Sequence, residues 1–280
     1  MELTYHGTAT LELRAGATRL LTDPTFDPAG STYDFGLWLT PRAWFASQKL
    51  YAAPLDPGSL GPFDAVLVSH DHHADNLDRA GRALVADRSR VRRVLTTVPS
   101  ARRLVRPRSA VDAPGRGLAL GDRVQGLAPG ASTRVGEIVV TATVARHGPV
   151  YAPQVHQVIG FLLDVDDGPR VWISGDTVLF PALRRALAAI GAERPVDVAI
   201  VHCGAVGFPR APGFGHARFT FDAREAIEAC RLVGARTFVP VHRTGWAHFR
   251  QPESELRAAL DEAGLGARTR MLELGATLTV

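Results

Sequence analysis

Between His70 and Asp75 the chain carries His70, Asp71, His72, His73 and Asp75, three imidazoles and two carboxylates within six residues. Two imidazoles at i and i+2 leaving the end of a strand can converge on one ion from the same side. Imidazole with carboxylate suits zinc, manganese or iron, whereas calcium or magnesium calls for oxygen ligands alone. One histidine at a strand end is ordinarily a hydrogen-bonded or surface residue. Three within four positions beside two aspartates are hard to explain by packing, and the cluster reads as a metal site.

The elements around the cluster must hold it rigidly. Ala65 to Val68 is a short, continuous, valine-rich run, the pattern of a strand buried on both faces, and Leu77, Ala80, Leu84 and Val85 resume at helical spacing to about Arg88. The same pattern, a strand that delivers a chemically active residue to a loop, recurs along the chain. Residues 2 to 22 read as a hairpin that turns at Ala15-Gly16 and delivers Asp23. A strand from Glu137 to Ala145 leads to Arg146-His147-Gly148. Val158 to Val165 and Arg170 to Ser174 form a hairpin across Asp166-Asp167-Gly168 that runs into Gly175-Asp176-Thr177. Val196 to Val201 ends in His202-Cys203-Gly204, and Thr237 to Val241 ends in His242. Between them, Val94 to Val98 reads as a strand, Pro99 opens a helix, Val111 to Leu127 reads as short edge strands, and helices span about Pro181 to Ile190 and Glu225 to Val233. By spacing alone His147 and Asp176 are candidates and no more, since Gly-Asp pairs are common turns.

The run from Ser69 to Asp78 resembles the His-x-His-x-Asp-His signature of the metallo-β-lactamase fold superfamily, in particular its lactonase-like and phospholipase-D-like hydrolases. One residue is added and one exchanged: aligned at its end, the motif has Asp75 and Asn76 where Asp and His are expected, and Asn76-Leu77-Asp78 falls where His-Leu-Asp is common. The resemblance implies an α/β, four-layer αββα sandwich over nearly the whole chain, 1–280, with no domain boundary. It also implies a ligand series. His70, His72 and His147 hold the first ion, Asp75 and His242 the second, and Asp176 bridges them, while Asp23 supports the histidine loop without binding metal. His202 and His248 line the pocket, and His6 is equally well a strand histidine near the site.

That series implies a metal-dependent hydrolase of a small-molecule ester, lactone or phosphodiester, with one or two divalent ions, zinc first and manganese or iron as alternatives. Hydroxide generated from a metal-held water is the nucleophile, and Asp75 and His73 are the catalytic candidates for orienting it and moving its proton. No Gly-x-Ser-x-Gly elbow offers a serine nucleophile. Oxygen chemistry at iron fares worse, for want of a flavin module. Asn76, a neutral amide in place of an imidazole, makes the second ion the weaker one. A bulge that swings His73 into the vacancy is the rescue to be tested.

The 280 residues, 46% hydrophobic and 21% charged, suffice for a full core. No apolar run approaches the roughly 18 residues of a membrane span, and Met1 leads directly into Leu3-Thr4-Tyr5, so a cytoplasmic protein is expected. Two cysteines, Cys203 and Cys230, argue against a disulfide scaffold. The net charge of +4 comes from arginine, Lys49 being the only lysine. Arg88, Arg90, Arg92, Arg93, Arg102, Arg103, Arg106 and Arg108 form a stripe with no acidic residue among them. It suits phosphate or nucleic acid and a non-hydrolytic binding role, but without interleaved aromatics a solvated face is favoured. The proline- and aromatic-rich stretch at about 24–62 reads as an insert forming an apolar wall over the site or a contact between copies in a homo-oligomer.

Overall fold

A computed structural model describes residues 1–36, 40–51, 53, 57–106, 117–152 and 155–280. Among these described residues fifteen strands and six helices follow in order: β1 (Glu2–Gly7), β2 (Thr10–Ala15), β3 (Thr18–Thr22), β4 (Thr32–Asp34), α1 (Arg42–Phe45), β5 (Ala46–Gln48), β6 (Phe63–Leu67), α2 (Arg79–Ala86), β7 (Val91–Thr97), α3 (Val98–Leu104), β8 (Val124–Leu127), β9 (Ser132–Val135), β10 (Ile138–Val144), β11 (Ile159–Val165), β12 (Arg170–Ile173), α4 (Pro181–Glu193), β13 (Val198–His202), α5 (Ala223–Leu232), β14 (Thr237–Val241), α6 (Glu253–Glu262) and β15 (Thr277–Thr279). The expected strands Ala65 to Val68, Glu137 to Ala145 and Thr237 to Val241 are present to within a residue or two. The expected hairpin at 2–22 is a three-stranded meander.

Two sheets face each other. One runs β15-β1-β2-β3-β6-β7-β8 and the other β14-β13-β12-β11-β10-β9. The alternation of side chains along a strand sorts each residue into a layer. Ala65 and Leu67 of β6 join Val198 and Ile200 of β13 and Val239 and Val241 of β14 in the core between the sheets. Val66 and Val68 face the other way, onto Leu84 and Val85 of α2 and Leu104 of α3. Trp172, Ala199, Val201 and Phe238 likewise back onto α4, α5 and α6. This is the αββα sandwich. Each large apolar side chain so buried contributes about 1.5–3 kcal/mol over an exposed one, which is why the central strands read as unbroken apolar runs.

Parallel pairing gives the sandwich a direction. β3, β6, β7 and β8 are parallel, as are β12, β13 and β14. Two antiparallel steps, β10 to β11 to β12, set β10 parallel to β12. The C-terminal ends of β3, β6, β10, β12, β13 and β14 therefore open onto one rim, and they carry Asp23, His70, His147, Asp176, His202 and His242.

Local chemistry fixes the loops there. α2 begins at Arg79, two residues later than its apolar spacing suggests, because Asp78 is extended and caps it by accepting from Gly81 N at 2.8 Å. Gly175 has φ +61°, and a Cβ there would lie 2.4 Å from Ile159 O, so only glycine lets the chain turn from β12 into Asp176. Pro240 lies within β14, where it is tolerated because β14 is an edge strand.

The insert contributes a small sheet of its own, β4 with β5. Beyond β5 the pairing continues onto the loop after β14: Leu50 N donates to Gly245 O at 2.7 Å and Ala247 N to Gln48 O at 3.0 Å. Lys49 between them is buried and its ammonium lies 3.1 Å from Asp78 Oδ2. The only lysine thus ties the insert to the cap of α2. Trp38 and Pro54 of the insert, Arg108 of the arginine stripe and the first part of the expected Val111 to Leu127 strands lie outside the described residues. Among the described residues no helix is long and apolar enough to cross a membrane.

Candidate metal centre

Three ring nitrogens meet at the rim. His73 Nδ1 lies 3.2 Å from His70 Nε2 and 2.9 Å from His147 Nε2. The outer nitrogens are anchored: His147 Nδ1 faces Phe219 O at 2.8 Å and His70 Nδ1 faces Ser69 Oγ at 3.0 Å. Since a carbonyl only accepts, His147 carries its proton on Nδ1 and turns a lone pair inward. Burial, with His147 close by, pushes the His70 imidazole down to about 3. Burial, His147 and His70 hold His73 well below the ordinary range. Three imidazoles with converging nitrogens, two of them anchored on the outer side, are a donor set that fits a divalent ion.

The sequence reading paired His72 with His70 and set His73 beside Asp75 as a catalytic group. The ring nitrogens that meet here are those of His70, His73 and His147, and His72 lies beside them, its ring centroid 4.6 Å from His70, 4.4 Å from His73 and 6.4 Å from His147. The added residue explains the exchange. Asp71 is fully buried and turned away from the centre, where Ser100 Oγ donates to it at 2.9 Å and the Arg103 guanidinium pairs with it. Arg103 outweighs the burial and holds the Asp71 carboxyl below its usual range. The loop is then gathered into a turn by Leu77 N donating to His73 O at 3.0 Å, so the spacing is kept from the Asp75 end.

A second cluster adjoins the first. Asp75 Oδ2 lies 3.2 Å from His242 Nε2 and 3.0 Å from His248 Nε2, and His242 Nε2 lies 3.6 Å from Asp176 Oδ2. His202 Nδ1 lies 2.8 Å from Asp176 Oδ1, and its ring stacks on His242 at 15°. Asn76 faces both carboxylates; with the amide assigned by its partners, its nitrogen donates to Asp176 Oδ2 at 3.1 Å and Asp75 Oδ1 at 3.2 Å. Burial alone would raise both aspartates, but hydrogen bonds from His242 and His248 hold Asp75 well below the usual range. His242 and His202 do the same for Asp176. For His242 burial opposes the charged form, yet Asp176 and Asp75 raise its pKa above the ordinary value. His242 Nδ1 and His202 Nε2 are buried without a hydrogen-bond partner, and the His242 backbone has φ +51°. Buried charge, orphaned nitrogens and a strained backbone in one place are what a binding centre costs the fold.

Asp23 stands behind the loop, accepting from Ser69 N at 2.7 Å. Burial, with Asp176 nearby, pushes it up to about 8, so it keeps its proton at neutral pH and acts as a neutral support. His6 is buried but remote in chemistry, with Glu12 Oε2 at 3.8 Å as its polar neighbour. Rings wall the centre. Phe35 of the insert lies 5.4 Å from His73 and 4.6 Å from His248, Phe208 stacks on His248 at 12°, and Phe219 lies 5.7 Å from His147.

The match to known proteins decides the family. Residues 18–243 match the family model of the β-lactamase superfamily domain. The chain belongs to this superfamily. Within it, a UPF0173 metal-dependent hydrolase of Nitratidesulfovibrio vulgaris is 26% identical over 99% of this chain and 95% of its own length. Two solved structures share the fold at 19% identity, each over 100% of this chain and 99% of its own: an isothiocyanate hydrolase from Delia radicum gut bacteria, with a TM-score of 0.73, and a possible metal-dependent hydrolase of Veillonella parvula, with a TM-score of 0.76.

Proposed function

We propose that this metal-dependent hydrolase cleaves a neutral carboxylic ester or lactone, using His70, His73 and His147 for a first divalent ion and Asp75, Asp176 and His242 for a second. When bound, such an ion supplies a water of lowered pKa and a Lewis acid for the substrate's oxygen; zinc suits the first trio and manganese or iron the more oxygen-rich second. The observation that carries the reading is the meeting of His70, His73 and His147 nitrogens at 2.9–3.2 Å.

The chain's own residues set the rest. Asp75 stays ionised and faces the rim, where it can take a proton from the attacking water and return it to the leaving oxygen. Phe35, Phe208 and Phe219 exclude water from the histidines and offer a face to an apolar acyl chain or ring. Two of the nearby guanidiniums are otherwise engaged. Arg103 serves Asp71, and Arg146 donates to Gly148 O at 3.1 Å and covers Phe180. This favours a neutral ester over a phosphodiester, which wants a free arginine. The arginine stripe is partly spent too: Arg92 pairs with Asp64, and Arg93 donates to Arg134 O and Gln125.

The test is a comparison of p-nitrophenyl butyrate, a γ-lactone and bis(p-nitrophenyl) phosphate with protein loaded with zinc, manganese or iron. A kcat/KM for the carboxylic substrates at least about tenfold above the phosphodiester supports the reading. The reverse order selects a phosphodiesterase, and inertness toward all three with retention on DNA at moderate salt selects a binding protein.

A further inference from the structure

We propose that His248 supplies the imidazole for the second ion that Asn76 does not, on a support built by the insert. The inference rests on the two-ion reading of the site above.

Asn76 is placed as a donor to Asp75 and Asp176, which leaves the second cluster short of one nitrogen ligand. His248 has the arrangement shared by the two anchored histidines of the first trio. Its Nδ1 lies 2.5 Å from Ser47 Oγ and its Nε2 points inward, 3.0 Å from Asp75 Oδ2. His147 and His70 likewise hold the outer Nδ1 on an oxygen and turn Nε2 to the centre. Fixing the outer nitrogen sets both tautomer and ring plane of a ligating histidine. As the site stands, His248 Nε2 donates to Asp75 Oδ2; an ion that displaces this proton finds the outer Nδ1 already held by Ser47 Oγ, and Nε2 aimed at the oxygen that also faces His242 Nε2 at 3.2 Å.

The support is specific. Ser47 lies in β5 and is buried, and the strand pairing of β5 continues through Lys49 onto Trp246, which sets the height at which His248 leaves the loop. Phe208 and Phe35 close on the ring from the other sides. His202 is the rival. Its orientation is reversed: Nδ1 is on Asp176 Oδ1, and the outer Nε2 is buried with no hydrogen-bond partner. That geometry orients Asp176 and leaves His202 without the anchor of a ligand.

Cobalt(II) titration of stripped full-length protein tests this, read by elemental analysis and by the visible spectrum of the bound ion. The parent chain should take two ions of unequal affinity and H202A should still take two. H248A should take one, S47A should weaken the second by about 10–100-fold, and N76H in the H248A background should restore it. Retention of both ions by H248A, loss of the second by H202A, a single ion in the parent chain, or failure of N76H to rescue overturns the assignment. Stoichiometry is independent of the ester assays, so failure there with two ions intact falls on the substrate reading alone.

Discussion

The two halves of the centre are built by different means. The trio of His70, His73 and His147 comes from two strand-end loops, contains no carboxylate, and keeps its anchors on Ser69 and Phe219. The neighbouring half joins two ionised aspartates to His242 and His248, and draws one anchor from the insert, 201 residues from the ring it holds. Neutral, preassembled donors need no proton removed before an ion enters. A carboxylate–imidazole cluster has already satisfied part of its charge with protons, and an ion must displace them.

Asp176, set against His242 and His202 and assigned above to the second ion, is the residue whose loss has the largest expected effect. Asp176→Asn should lose the second ion and lower kcat/KM by about 10³-fold or more, checked by elemental analysis and initial rates with a carboxylic ester. Full metal content with full turnover in that variant removes Asp176 from the centre.

The next effect separates His73 from its neighbour. His73→Ala should weaken the first ion by at least about 100-fold, whereas His72→Ala should change its affinity by less than about tenfold; competition with a chromophoric chelator measures both. The opposite ranking restores His72 as the ligand.

Proton competition sharpens the comparison. His70 at about 3 and His73 well below its ordinary range hold no proton for an ion to displace, so neither adds a pH dependence to the first affinity between about pH 8 and pH 6. His242 is raised above 6.5 and binds a proton in the same interval. The second affinity should therefore fall as pH falls, by about tenfold per unit below the His242 pKa. Calorimetric titrations at several pH values, in buffers of different ionisation enthalpy, count the protons released. Equal release from both sites contradicts the contrast.

Much of this division is visible in the chain before folding. The His70 cluster is legible because a buried strand writes itself as an apolar run and the next polar residues fall at its end, whereas Asp23, His147, Asp176 and His242 stand at such ends as candidates that the family resemblance alone singles out. The sandwich itself is read from the family resemblance, which the order of strands and helices fits. The choice of His73 over His72 is not legible, because it depends on Arg103 and Ser100 of α3 drawing Asp71 aside. Nor is the role of His248, since its link to Ser47 leaves no periodicity or local spacing to read. α6 and β15 were also absent from the pattern: α6 has just Leu256 and Leu260 fully buried, too few apolar positions to mark a stripe.

The smallest effect is expected farthest from both halves. Replacing Arg88, Arg92, Arg102 and Arg106, the exposed members of the stripe, by glutamine should alter turnover of a small ester by less than about twofold. A large loss confined to phosphorylated or polymeric substrates would give the stripe a part in binding.

The central claim is that two inequivalent ions lie side by side at this rim. Crystals of zinc-loaded protein, with diffraction recorded on either side of the zinc absorption edge, locate them directly. The account predicts a strong anomalous peak about 2.0–2.1 Å from nitrogens of His70, His73 and His147, and a weaker one among Asp75, Asp176, His242 and His248. A single peak, or a first peak bound by His72 with His73 turned away, would contradict it.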